Sequence, residues 1–77
     1  MILRVLIEKT VGKHCTSIDD GEKIYELVSP EIAKNLTVEV DFKRVKSMLT
    51  PFLNACFGKL VEHYGKEKIM ANMAIRN

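Results

Sequence analysis

The 77-residue chain has two cysteines, Cys15 and Cys56, which stand far apart without the C-x-x-C spacing of a redox or zinc pair. No apolar stretch approaches the roughly 20 residues of a membrane helix, so no membrane partner is expected. Arg4 and Glu8 interrupt the apolar residues at the start, which leaves no charged n-region followed by an apolar h-region. These features predict a cytoplasmic protein with reduced thiols. Charge of one sign is also scarce: 12 Lys and Arg against 10 Asp and Glu leave a net +2. The basic residues are scattered, with no run that would suit a phosphate backbone, so no nucleic-acid partner is expected. His14, Cys15, Asp41 and His63 are metal-ligand types, yet no two fall at a ligand spacing, and no metal or other cofactor is expected. G-x-S-x-G, Walker and G-x-G-x-x-G patterns are missing, which removes the common acyl-transfer and nucleotide motifs.

What is present has globular proportions, 47% hydrophobic and 29% charged. The length predicts a single domain over 1–77. So short a chain buries only about 60% of its unfolded surface, which makes a homodimer an expectation from size alone. Ile2, Leu6 and Met70, if they share the sheet face opposite the helices, would form the sticky patch.

The residues from Met1 to Glu8 read as a strand mostly covered on both faces, and Gly12 suits a hairpin turn into a short second strand. Asp19, with Glu22 three residues on, predicts a helix start there. Its apolar stripe of Ile24, Leu27, Val28, Ile32 and Ala33 meets Pro30. Either the helix kinks or a second helix begins with Ser29 as cap, and Asn35 is the expected stop. Leu36, Val38, Val40 and Phe42 alternate with polar residues, which predicts a strand with one apolar face and hence helices on one side of the sheet.

Thr50-Pro51 predicts a hydroxyl cap with proline in the first turn of a second helix. Phe52, Leu53, Cys56, Phe57, Leu60, Val61 and Tyr64 form its apolar stripe, and Gly65 ends it. Gly58 reads as a point of close helix–sheet contact, and a last strand is expected from Lys68 to Ala74, with Met70 and Met73 filling core or interface. Cys56 sits on the buried stripe as a small hydrophobe and His63 on the solvent stripe. The start at Thr50 follows the carboxyl end of the Leu36–Phe42 strand, where open sheets place ligands and where helix amides favour anions. Asp41 and Lys46 lie near it.

The residues Val40-Asp41-Phe42, Val45, Thr50-Pro51-Phe52-Leu53 and Phe57-Gly58-Lys59-Leu60 resemble the STAS-like family of small prokaryotic domains of unknown function, over about Gly21 to Asn72. That family is similar to the STAS domains of anti-sigma-factor antagonists and sulphate transporters. In the antagonists an Asp-Ser-Ser-Gly stretch carries a serine phosphorylated by a partner kinase. Here that stretch falls on Leu49-Thr50-Pro51-Phe52, so the acceptor position is Pro51, which cannot be phosphorylated. The resemblance then leaves Thr50 as the candidate phosphoacceptor, with Ser47 three residues earlier.

The combined expectation is an α/β, STAS-like domain with a small mixed sheet of three to four strands and its main helices on one face. Its expected role is a non-catalytic regulatory or protein-interaction module, in partner switching with a kinase-like or anti-sigma-type protein. Asp41, Lys46, Ser47, Thr50 and Phe52 are the candidate contact residues. The alternative is a small-anion or nucleotide-binding domain that uses the helix start at Thr50.

Overall fold

A computed structural model describes residues 2–77. The apolar residues at the start form strand β1, Ile2–Leu6, and Met1 lies outside the described residues. β1 is covered on one face only: Val5 is buried and Leu3 packs against the core, whereas Ile2 is 63% exposed. The strand stops at Leu6 because the chain turns into a short helix α1, Ile7–Val11, which swings Ile7 fully inside. Thr10 Oγ1 donates to the Leu6 carbonyl across the junction. Gly12, at φ +99°, then redirects the chain. The next strand, β2 (His14–Cys15), does not fold back on β1 as a hairpin; it pairs in parallel with β4, Ser47–Met48.

Helix α2, Ile18–Ala33, is capped two residues before the acid pair: Ser17 Oγ accepts from the Asp20 N–H at 3.1 Å. Asp19 and Asp20 occupy the first turn, where their charge suits the positive dipole end. Replacing Ser17 with Ala is expected to lower stability by about 1 kcal/mol, and replacing Asp19 with Ala by only a few tenths. Thermal melts of the two variants check the assignment.

The helix neither restarts nor stops at Pro30. Pro30 is exposed in the last turns, where one missing amide costs little against the full burial of Ile24, Val28 and Ile32. Ser29, in place of capping, bonds to Tyr64: the Tyr64 hydroxyl donates to the Ser29 carbonyl at 3.0 Å and receives the Ser29 hydroxyl. Asn35, at φ +61°, ends the helix, with the Leu36 N–H returning to the Glu31 carbonyl and the Asn35 N–H to Ile32.

Strand β3, Thr37–Asp41, is central, flanked in parallel by β1 and by β5, Met73–Arg76. Both sheets are thus wholly parallel instead of mixed, and each crossover carries helices. Val38 and Val40 face the helices and are fully buried. The opposite face carries Arg4, Glu39 and Arg76, with Glu39 Oε1 3.3 Å from Arg4 and 3.1 Å from Arg76. The fold is α/β with its helices packed on the core side of a small sheet.

Residues 50–64 form one helical stretch: α3 Thr50–Leu53, a π-helical segment Asn54–Gly58, and α4 Lys59–Tyr64. Gly65 at φ +88° ends it as expected. Phe52, Cys56 and Leu60 are fully buried. The close approach falls at Gly21 on α2, not at Gly58: a Cβ on Gly21 would sit 2.5 Å from the Phe52 carbonyl oxygen, whereas one on Gly58 meets nothing nearer than Asn54 at 3.6 Å. The expected last strand is displaced, because Lys66–Asn72 forms helix α5 and β5 starts at Met73. Met70 therefore lies on α5, 71% exposed, and not on the sheet face with Ile2 and Leu6.

Candidate functional site at the carboxyl ends of the strands

The loop from β3 to α3 is pinned to the turn between α1 and β2. The Lys13 carbonyl accepts from the Lys46 N–H at 2.7 Å and from Ser47 at 3.3 Å, and the Leu49 N–H donates to Cys15 at 2.9 Å. His14 Nδ1 lies 2.8 Å from Ser47 Oγ across the β2–β4 pair. On the other side of the loop, Asp41 Oδ1 accepts from the Lys43 N–H and from Asn77 Nδ2, both at 2.9 Å. The Asn77 bond, followed by that of Lys43, holds the Asp41 carboxyl below its usual range, and the charges of Arg4 and Lys43 add to this.

Two shallow depressions result. One, of about 310 Å³, lies beyond the ends of β1 and β3, where Asp41 meets Arg4, Lys9 and Lys43. The other, of about 290 Å³, is bordered by Lys13, Val45 and Lys46. Arg44 borders both. Residues scattered along the sequence are gathered here because parallel pairing brings the ends of β1 and β3 together. The local signal in the sequence was Lys43-Arg44-Val45-Lys46, too short to count as a basic run.

Of the candidate residues, Asp41 lines the first depression and Lys46 the second, and Ser47 pairs with His14. Thr50 is exposed but borders neither depression. Phe52 presents nothing to a partner, since it is fully buried. Thr50 is also not the cap: Leu49 holds that position, and no side chain bonds the helix start. The start is poor in free amides. Pro51 has none, and the Phe52 and Leu53 N–H groups both donate to the Leu49 carbonyl, at 3.1 and 3.2 Å. The anion reading of this helix start rests on donors that are already spent, apart from the Thr50 amide.

Neither thiol is positioned to attack. Cys15 and Cys56 are fully buried, and burial pushes the pKa of Cys15 up and that of Cys56 up to about 12. Among the described residues no helix is long and apolar enough to cross a membrane.

A small parallel sheet with helices on one face and an exposed, pinned loop at its carboxyl end makes the chain a compact α/β domain. It belongs to the family described as the STAS-like domain of unknown function (DUF4325), whose profile matches residues 20–77. The match spans α2 through β5, so β1, α1 and β2 lie ahead of it. No curated protein and no solved structure matches the chain.

Proposed function

We propose that the protein is a non-catalytic regulatory module that works by binding another protein, and that the loop between β3 and α3 is its contact surface. The observation that carries this reading is the pinned loop itself, which holds Met48 43% exposed and Leu49 51% exposed beside the exposed Thr50. Apolar side chains held outward on a fixed backbone lose little entropy when a partner covers them. The partner is a kinase-like or anti-sigma-type protein, and Thr50 is the phosphoacceptor. A phosphate added at this exposed helix start would be tolerated by the dipole and would change the contact surface.

Photo-crosslinking tests this. A benzoylphenylalanine at Leu49 is expected to trap one discrete partner in cells, and the same group at the solvent-facing Glu62 none. Thr50→Asp should weaken the Leu49 adduct, whereas Thr50→Ala should bind and melt like the parent, because Leu49 and not Thr50 is the cap residue. No adduct from Leu49, or the same adducts from both positions, would remove the proposal.

A further inference from the structure

Arg44 borders both depressions, which we treat as the two lobes of one cleft. Arg4, Lys9, Lys13, Lys43, Arg44 and Lys46 border it, six of the chain's 12 cations, against two of its 10 carboxylates, Glu8 and Asp41. The cleft is thus locally +4 in a chain of net +2, which leaves −2 for everything else. The charge is segregated to the end of the molecule that carries the pinned loop. We propose that this cleft docks an acidic segment of a partner protein, with carboxylates on the Lys and Arg heads of the two lobes and an aliphatic side chain against Leu6 or Val45.

The inference rests on the reading of the chain as a protein-binding module and names the chemistry of the partner. Three features favour a protein segment over other anions. Both lobes are shallow and their cations largely solvated, unlike the enclosed pockets that hold small ligands. Leu6 and Val45, both half-buried, give the lobes apolar patches that phosphate does not use. Glu8 and Asp41 stand among the cations, where the unbroken negative charge of a nucleic-acid backbone would be repelled. A polypeptide has amides and hydroxyls to offer them.

Arg44 carries the test. It is held at φ +70°, a left-handed conformation that glycine adopts more cheaply than arginine. Arg44→Gly therefore deletes the shared cation without unfolding the loop. A glutamate-rich peptide carrying one leucine, titrated into the isotope-labelled full chain, should shift the amides of Lys9, Lys13 and residues 43–46. Binding should weaken with added salt and fall about tenfold in Arg44→Gly, while the melting temperature holds or rises.

Four results would overturn the inference: no shifts at these amides, equal affinity in Arg44→Gly, tighter binding of a DNA duplex or inorganic phosphate at the same amides, or shifts there that grow with protein concentration alone. The last would assign the cleft to the acidic remainder of a second copy. If the peptide fails while the Leu49 crosslink persists, the module reading stands and only the acidic partner falls.

Discussion

Gly21→Ala is expected to lower stability by about 2 kcal/mol, close to 10 °C in melting temperature for a domain of this size. The added Cβ would lie 2.5 Å from the Phe52 carbonyl oxygen and 2.8 Å from the Ala55 Cβ. Neither neighbour is the free end of a long side chain. The first is backbone in the opening turn of the helical stretch 50–64, and the second sits in its π segment, so α2 and that helix must move apart. Moving them loosens Ile24, Phe52 and Cys56, which are fully buried. Alanine is the better helix former by about 1 kcal/mol, and the steric cost must exceed that gain for the sign to be destabilising. Gly58→Ala supplies the comparison. Its Cβ meets Asn54 at 3.6 Å and the Leu53 carbonyl oxygen at 4.0 Å, both ordinary contacts, so the propensity gain stands alone and the variant should melt higher than the parent. Equal effects of the two substitutions would mean that the helices do not touch at Gly21.

The contrast between these glycines marks what was legible in the sequence. Periodicity is local, and it located α2 by Ile24, Val28 and Ile32, β3 by Val38 and Val40, and the stretch 50–64 by Phe52, Cys56 and Leu60, all fully buried. Close approach is not local. Nothing near Gly21 in the chain announces that Phe52 lies over it, whereas Gly58 inside an obvious helix draws the eye. Segments whose structure depends on distant pairing were misread for the same reason. His14–Cys15 is a strand only because Ser47–Met48 lies beside it, and β5 begins at Met73 because Val38 pairs with that residue. The alternation from Lys68 to Ala74 resembled a strand, but Lys66–Asn72 is helical. The proposed contact surface followed the same rule. Asp41 and Lys46 were legible as neighbours of a strand end, while Arg4, Lys9 and Lys13 joined them only through the parallel pairing of β1 with β3 and of β2 with β4.

The second large effect lies at alkaline pH. Burial, reinforced by Cys15, pushes the Cys56 thiol from 9.0 up to about 12 in the folded chain, while the unfolded chain keeps the ordinary value. Below pH ~9 both states hold the proton and stability is unaffected. Above it the unfolded chain releases the proton and the folded chain retains it, so the unfolded state binds fewer protons and stability falls as pH rises. The slope is about 1.4 kcal/mol per pH unit until the folded thiol itself ionises. Cys15, also raised, steepens the decline by an amount that persists when Cys56 alone is removed. Lysine and tyrosine titrations are common to any variant that keeps them. Urea unfolding at pH 8 and at pH 10.5 should therefore cost the parent about 2 kcal/mol more than it costs Cys56→Ala, even though the variant, with a cavity beside Phe52, starts lower. A thiol reagent at pH 8 should label neither cysteine in the folded parent and both in urea, because the thiolate forms only after the core opens. Parallel pH dependence in parent and variant, or rapid labelling of folded protein, would mean that Cys56 is reached by water and that the packing of 50–64 against α2 is looser than its full burial implies.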